Sequence, residues 1–349
     1  VISSDQVGKF PDANIGDALR RVPGISMQND QGEARDIIIR GFAPGLNSVT
    51  LNGERIPSAE GDNRRVQMDL IPSDMIQTIE VNKSLTPDME GDAIGGSVNL
   101  ITRSNPNRFR LSATGSYGLN AIRDGYNGSA SFIVADKVSD KFRYTVSSSL
   151  QTNDFGSDNI EFVWNNPEDW ASDSPFDEHD IRRYDVKRTR RSVSANLDYS
   201  INNNHQLYIK SMYNNRDDWE NRFRLRVAKF DVGENTVRVR KQTKGGIDND
   251  DNQNRRLEAQ STYKLALGGI HQLGNLAVTW KASTSKADER RPNERYMRFE
   301  QKDVPISAID ISDPKFPVVR FSGDAWNDVS AFNFNEATEQ NGLTEETDQ

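Results

Sequence analysis

The clearest pattern in the chain is an alternation of apolar and polar residues over its C-terminal two thirds. From Phe109 onward, side chains at every second position are apolar, which is the period of a β-strand with one apolar face. Each run is about 9–11 residues long, enough to cross a bilayer when tilted. About seven such segments are present, beginning near Phe109, Ser129, Phe142, Ser192, Gln206, Leu257 and Leu276.

The connections between these segments support a membrane interpretation. Short connections alternate with long polar ones, and bacterial outer-membrane barrels place short turns on the periplasmic side and long loops outside. The pattern predicts an incomplete antiparallel transmembrane β-barrel over 106–349. A soluble β-sandwich shows the same alternation and remains the alternative. The predicted short turns are 136–140, 202–205 and 266–275, and the predicted outer loops are 119–127, 152–185, 214–255 and 286–349.

The first hundred residues follow a different pattern and predict a compact α+β unit over 1–105. Asn14 is placed to cap a short helix that Pro23 and Gly24 end. An Asn-Gly pair at Asn52 and Gly53 lies between two short strand-like runs, which is the signal of a β-hairpin. The chain is therefore expected to be mostly β, with its helices confined to this unit.

Composition removes several classes of function. The chain has no cysteine and 3 histidines, so it offers no disulfide or thiol chemistry and little for a metal. Its net charge of -8 gives no support for nucleic-acid binding. No run of 18 apolar residues is present to form a membrane helix. No Ser, His and Asp residues are grouped as in a catalytic triad. We therefore expect no catalytic residues, no metal site, no cofactor and no enzyme activity.

Four motifs in the first unit resemble, in order, the plug domain of TonB-dependent receptors. They span residues 11–103 and make the resemblance specific. The helix motif, the central hairpin and the closing segment are all matched. The motifs are Asp12–Ile25, Ile39–Phe42, Leu51–Pro57, and Ile76–Val81 followed by Gly91–Arg103.

The resemblance implies a function in the outer membrane of a Gram-negative bacterium. It implies TonB-dependent active transport of a scarce nutrient, driven by the TonB–ExbB–ExbD complex, with outer-membrane lipid and lipopolysaccharide as surroundings. Residues 83–90 resemble the subgroup often linked to carbohydrate uptake, so an oligosaccharide is the first expectation. Uptake of a ferric siderophore or another metal chelate is the alternative. A passive porin or adhesive barrel, and a soluble β-rich enzyme, are the competing classes.

The resemblance also predicts that the chain is a fragment. Barrels of outer-membrane transporters have about 22 strands, and seven cannot enclose a unit of this size or satisfy their edges in lipid. The family carries a TonB box ahead of the plug. No convincing copy stands in residues 1–10, so we expect it upstream of Val1.

Candidate functional residues follow from this architecture. A polar loop after the hairpin is the best candidate for ligand contact: Glu60, Asp62, Asn63, Arg64 and Arg65. Aromatic side chains of the outer loops are candidates to stack on sugar rings, or else to anchor the loops: Trp164, Trp170 and Trp219. Four charged residues of the first unit are candidates to contact lumen-facing charges such as Arg143 or Glu258: Arg40, Arg55, Glu80 and Arg103.

One basic run has two interpretations. Residues 187–191, with four basic side chains in five positions, lie at the outer end of a predicted strand. There they are candidates to contact the phosphates of lipopolysaccharide. A solvated strand end explains them equally well.

Overall fold

The structure, a computed structural model, describes residues 2–3, 14–60, 64–87, 89, 91, 93–104, 106–170, 174–246 and 255–348. It consists of an N-terminal unit, whose described elements lie between Ile2 and Thr102, and a large antiparallel sheet that begins at Arg110. The predicted fold class, a mostly β chain with an α+β unit ahead of an incomplete barrel-like sheet, is confirmed. Among the described helices, none has the length and apolar character needed to cross a membrane.

The described residues of the N-terminal unit form a five-stranded sheet, a separate hairpin and one short α-helix. The strand order in the sheet is β1-β6-β7-β4-β5, with β4 and β7 parallel. The hairpin is β2–β3. The elements are β1 Ile2–Ser3, α1 Ile15–Leu19, β2 Ile25–Asp30, β3 Glu33–Ile39, β4 Asn47–Leu51, β5 Glu54–Arg55, β6 Ile76–Asn82 and β7 Gly96–Thr102, with 3₁₀ turns at Pro44–Leu46, Met68–Leu70 and Ser73–Met75.

Local sequence explains the start of the helix and two tight turns. The Asn14 side chain accepts a hydrogen bond from the Asp17 backbone N–H at 3.1 Å, which caps α1 as predicted. Asn52 and Gly53 both have positive φ angles, 55° and 80°, as a two-residue hairpin turn requires. The β2–β3 turn uses the same geometry at residues 31–32, with φ angles of 48° and 87°. The sequence did not predict β2, the first strand of this second hairpin.

The large sheet is built from long neighbouring strands. Its order is β13-β15-β14-β12-β11-β10-β9-β8, and β16 and β17 pair with β15. The strands are β8 Arg110–Asn120, β9 Gly125–Lys137, β10 Phe142–Trp164, β11 Phe176–Asn202, β12 His205–Asp231, β13 Thr236–Gly246, β14 Arg256–Leu273, β15 Leu276–Asp310, β16 Val318–Phe321 and β17 Asn333–Asp348, with 3₁₀ turns at Pro167–Asp169, Ala325–Asn327 and Val329–Ala331.

The two faces of this sheet differ as the alternation predicted. On β11, Ser192 and Ser194 are buried on the face that the N-terminal unit covers, here called the inner face. Val193 and Tyr199 lie on the opposite, outer face and are 49% and 45% exposed. Apolar side chains that stay exposed along an outer face are what a lipid-facing strand requires.

The predicted outer loops and strand count need correction. Most of 152–185, 214–255 and 286–349 is strand rather than loop, because β10, β11, β12 and β15 continue far beyond the membrane-length segments. β13 is an added strand between β12 and β15, and β17 is a further long strand inside the predicted last loop. These extensions escaped prediction because charged and polar residues stand among the apolar ones of the outer face, as at Arg183 and Asn221, and weaken the two-residue period.

Candidate functional site

The N-terminal unit packs directly on the inner face of the sheet. Met212 of β12 and Ala287 of β15 join the unit's own apolar core, next to side chains such as Leu51 and Leu100. Most of the remaining contact is polar. The candidate site is therefore the interface between this unit and the sheet, together with the cavity above it.

The carboxylate of Glu33, at the start of β3, is held by two arginines of β11. Arg188 donates to Glu33 at 2.6 Å and Arg190 donates at 3.2 Å. Arg188 also donates to the Gln31 side chain at 2.9 Å and to Asp218 of β12 at 3.2 Å. Arg188 is 1% exposed. Because each guanidinium nitrogen meets an oxygen, this buried charge is compensated.

Asp69, in a 3₁₀ turn of the unit, forms the second buried ion pair. Arg216 of β12 donates to its carboxylate, and Arg190 donates to its backbone carbonyl at 2.8 Å. Arg216 also approaches Glu258 of β14 at 3.5 Å. Asp69 and Arg216 are each 1% exposed.

Both acidic groups stay ionised because their arginine partners outweigh burial. Burial alone would raise the pKa of Glu33, but Arg190 and Arg188 hold that pKa well below its usual range. For Asp69 burial acts in the same upward direction, and Arg216 and Arg35 bring the pKa below its ordinary value. The interface is thus a charged one at neutral pH.

Further contacts lie nearer the short-turn end of the sheet. Asn196 of β11 donates to the Thr102 hydroxyl at 3.1 Å. Lys264 of β14 donates to the backbone carbonyls of Leu51 and Arg55 at 3.1 and 3.3 Å. Glu54 accepts from Ser283 of β15 at 2.5 Å. The unit is therefore held by many separate polar contacts along its length.

A cavity of about 190 Å³ lies between the β2–β3 turn and the inner face of the extended strands. Glu60 and Arg35 contribute from the N-terminal unit, and Tyr184, Arg222 and Lys244 from the sheet. Its walls carry charges of both signs, so they suit a polar or ionic ligand bound through charge-assisted hydrogen bonds.

The predicted ligand loop is only partly at this cavity. Glu60 lines it and accepts from Arg35 and, at 3.0 Å, from Arg65. Arg65 also donates to Asp36 at 3.2 Å, inside the N-terminal unit. Arg64 lines a separate small cavity beside Arg55. The other two predicted residues of the loop, Asp62 and Asn63, lie outside the described residues. Ligand contact by this loop stays a prediction.

The predicted tryptophans lie away from the cavity. Trp164 and Trp170 pack against each other at a tilt of 33°, with ring centres 5.9 Å apart, and Trp164 packs edge-on against Phe176. The Trp170 indole N–H donates to the Asn165 carbonyl at 3.1 Å. Trp219 alternates with the inward-facing Asp218 and so lies on the outer face. Trp164 and Trp170 thus pack within the loop, and stacking of the three tryptophans on a ligand stays a prediction.

The predicted charged contacts of the unit are mostly internal. Arg40 donates to the Gly95 carbonyl at 3.1 Å, and Glu80 accepts from Asn99 at 3.0 Å. The Arg103 side chain donates to the Asp74 carbonyl at 3.0 Å, while its own carbonyl accepts from Asn196 of the sheet. Within the described part of the chain, Arg55 meets the large sheet through its backbone carbonyl, which accepts from Lys264 at 3.3 Å.

Sequence reasoning missed the residues that carry the interface, Glu33 and Asp69. A signal for their partners was present in the basic run 187–191. Strand period two places Arg188 and Arg190 on the face opposite to Lys187 and Arg191. The structure puts that first pair against the N-terminal unit, so these two arginines are unavailable to lipopolysaccharide.

Comparison with known proteins matches this architecture. Residues 1–97 match the family model "TonB-dependent Receptor Plug Domain". An iron-regulated outer membrane virulence protein of Vibrio cholerae is 24% identical over 303 residues, which are 83% of this chain and 40% of that protein. The vitamin B12 transporter BtuB of Vibrio vulnificus is 35% identical over 107 residues, 30% of this chain and 17% of that protein.

A search of solved structures finds the ferric enterobactin receptor PfeA of Pseudomonas aeruginosa. It shares 13% identity and a TM-score of 0.48, and the match covers 86% of this chain and 54% of that one. The chain thus spans about half or less of the length of these proteins.

The names of these relatives bear on two expectations. One relative is named as an outer membrane protein, which confirms the predicted outer-membrane location. The relatives also include a protein named as a transporter. Residues 1–97 are thus similar in sequence to the plug domain of TonB-dependent receptors.

Proposed function

We propose that this protein imports a scarce nutrient across the outer membrane and uses energy to move its N-terminal unit. The observation that carries the proposal is the buried interface of Glu33 and Asp69 with the arginines of β11 and β12. A unit fixed on the inner face by ion pairs obstructs free diffusion past it. Breaking a buried ion pair costs about 3–5 kcal/mol, so displacement of the unit needs an external energy source.

The energy source we propose is the TonB–ExbB–ExbD complex, acting on the periplasmic side. The interface suits such a mechanism because its polar contacts are separate. Each contact, such as Asn196 to Thr102 or Lys264 to Leu51, can break and reform without unfolding the sheet. An apolar interface of the same size would lack this stepwise character.

A metal chelate of the siderophore type is the ligand that we now favour over an oligosaccharide. The relatives are named for iron regulation, vitamin B12 and ferric enterobactin, and none of those names refers to a carbohydrate. The charged cavity above the N-terminal unit agrees with this choice. Two of the tryptophans that were candidates for sugar stacking, Trp164 and Trp170, pack against each other.

Uptake by whole cells tests the proposal. A deletion strain carrying the natural full-length gene is compared with one carrying an empty vector, using radioactive iron in ferric chelates and labelled oligosaccharides in parallel. We expect uptake of a chelate that stops when an uncoupler collapses the proton gradient and when TonB is deleted. Uptake that persists under both conditions would establish the passive porin class instead.

A further inference from the structure

The outer face of the large sheet carries a second apolar zone, separate from the one that faces lipid. On β12 the outward side chains run from Tyr213 through a mostly polar stretch, which includes Asp217 and Asn221, to Phe223 and Leu225. Phe223 stands ten residues beyond Tyr213, which is about 33 Å along a strand. Because barrel strands are tilted by about 45°, this zone lies about 23 Å beyond the lipid-facing one.

Strand register extends this zone over five neighbouring strands. It places two rows of outward side chains across β10, β11, β12, β13 and β15: Asp158, Arg183, Phe223, Thr243 and Met297 in the nearer row, and Ile160, Ile181, Leu225, Lys241 and Phe299 in the next. Each row is about 19 Å long, because neighbouring strands are about 4.8 Å apart. The two rows are about 6.6 Å apart, so together they form a long and narrow strip.

A groove of about 920 Å³ lies over this strip. The segment that follows β15 forms its wall, through Lys315, Phe316 and Trp326. The strip and this wall together are here called the outer groove.

The outer groove is separate from the cavity above the N-terminal unit. Arg182 and Arg224 stand between residues of the strip along their strands, but they point to the inner face. There they pair with Asp180, at 2.7 and 3.3 Å. The sheet therefore separates the outer groove from the N-terminal unit and from the 190 Å³ cavity.

The floor of the outer groove is apolar and open to water. Ile181, Phe223 and Met297 are 44%, 45% and 46% exposed. Directly beyond the strip the same face is closed, because Val227 and Val239 belong to a buried cluster and are 3% and 0% exposed. Apolar groups that stay open between a polar stretch and a closed cluster mark a surface that binds a ligand or a partner.

Lys241, on the floor of the groove, has no acidic partner. Its ammonium lies over the Phe332 ring, 4.5 Å from the ring centre. Among the described residues, no carboxylate lies within ion-pair distance of Lys241 or of Lys315 in the wall. Asp313 accepts from the backbone N–H of Lys315 at 2.9 Å and not from its ammonium. Both ammonium groups are therefore available to an anion from outside.

The carboxylates beside the groove are already shared among arginines. Asp158 is the one acidic residue among the described residues that line the groove, and it accepts from Arg123 at 2.6 Å. Asp185 accepts from Arg123 at 2.7 Å and from Arg183 at 3.3 Å. The described lining thus carries three outward cations, the two lysines and Arg183, against one carboxylate.

We propose that the outer groove binds a fatty acid, an amphiphile with one acyl chain and an anionic head. The chain lies along the strip over Phe223 and Met297, and the carboxylate meets the Lys241 ammonium. A concave site of this volume is typical of small molecules, whose pockets measure about 300–1,000 Å³, whereas protein partners bind broader surfaces. A long, narrow strip suits a linear chain.

The position of the groove determines where this ligand comes from. The fatty acid enters from the medium rather than from the membrane, because the groove lies about 23 Å beyond the lipid-facing zone. Because the groove lies outside the lumen, this binding is a property separate from the proposed transport and does not depend on it.

Isothermal titration of the full-length protein in phosphatidylcholine nanodiscs tests the proposal. Nanodiscs replace detergent, because a detergent would compete for the groove, and empty nanodiscs give the baseline for partition into lipid. The two probes are dodecanoate and dodecyltrimethylammonium, each below the concentration at which it forms micelles. They have the same chain length and opposite head charges.

Two variants of the groove are compared with two matched controls. Phe223→Ser removes an apolar group of the floor, and Lys241→Gln removes the unpaired charge. The control for the first is Val329→Ser, because Val329 is 75% exposed and does not line the groove. The control for the second is Lys187→Gln, because Lys187 is an outward lysine of β11 that does not line it. Circular dichroism should be the same for all four variants, because none of these side chains is fully buried.

We expect dodecanoate to bind above the baseline and dodecyltrimethylammonium to stay at it. Loss of the Phe223 ring from the contact should weaken dodecanoate about 10-fold, and loss of the Lys241 charge about 5-fold. The two controls should leave its affinity unchanged. No dodecanoate binding above the baseline, equal binding of both probes, or equal effects of groove variants and controls would overturn the proposal.

Discussion

Replacement of Asp69 by alanine is expected to loosen the N-terminal unit from the sheet. Asp69 accepts from Arg216 and lies 3.9 Å from the Arg190 guanidinium. The Asp69 and Arg216 side chains are 2% and 1% exposed, so water cannot replace the lost partner. Removing one member of a buried ion pair costs about 3–5 kcal/mol. In Asp69→Ala, Glu258 at 3.5 Å is left as the main carboxylate partner of Arg216.

The size of the effect can be measured by urea unfolding of the N-terminal unit in the detergent-solubilised receptor, with brief proteolysis as the probe. A domain of this size loses about 1–3 kcal/mol of stability per molar urea. The expected loss therefore lowers the midpoint by about 2 M. The slope should stay the same, because the surface exposed on unfolding hardly changes.

The control variant, Arg191→Ala, removes an ion pair on the opposite, outer face of the sheet. Arg191 lies on the outer face of the same strand, pairs with Asp217, and has a side chain that is 54% exposed. Exposed pairs contribute about 0–1 kcal/mol, so Arg191→Ala should move the midpoint little. If Asp69→Ala shifts the midpoint no more than Arg191→Ala does, the ion pair does not hold the unit in place and the reasoning is refuted.

Three further expectations concern the same unit. The pKa values of Glu33 and Asp69 are below their ordinary values. The stabilisation from these two carboxylates is therefore present above the ordinary carboxyl pKa of about 4 and is lost as the pH falls toward the lower pKa values of the folded state. Urea midpoints of the N-terminal unit should therefore agree at pH 7 and pH 5 and fall at pH 3. Gly16→Ala should lower the free energy of unfolding of the unit by about 1 kcal/mol or more, because a Cβ there would lie 2.4 Å from the Ala34 carbonyl oxygen. Gly45→Ala is the control, because a Cβ at that position meets open space, and it should leave the urea midpoint unchanged. Lys264→Met should lower the urea midpoint of the N-terminal unit without a change in sheet content by circular dichroism, because the hydrogen bonds of Lys264 to described residues go to carbonyls of that unit.

The strands that cross the membrane were predictable because one physical rule sets their pattern. Residues such as Val193 and Tyr199 must be apolar where they face lipid, while Ser192 and Ser194 face the N-terminal unit. That contrast is visible in sequence. In the extended parts of the strands charged residues occur on both faces, so Arg182 and Arg183 look alike in sequence although they lie on opposite faces.

The interface was beyond sequence reasoning for a different reason. Glu33 and Arg188 are separated by 155 residues, and Asp69 and Arg216 by 147. Nothing in local propensity or period links a turn of the first unit to a particular strand of the sheet. The internal contact of Arg40 was equally hidden, because its partner, the Gly95 carbonyl, is 55 residues away in the chain.

The central claim is that β11 and its neighbours face lipid on one side and the N-terminal unit on the other. Because the chain has no cysteine, single cysteines can be introduced along β11 from position 192 to 199 in the full-length receptor and spin-labelled in lipid vesicles. Accessibility to oxygen, which concentrates in the bilayer, should be high at positions 193, 195, 197 and 199 and low at the even positions. Equal, low accessibility to oxygen at both sets would mean that the apolar face packs against protein, and would contradict the account.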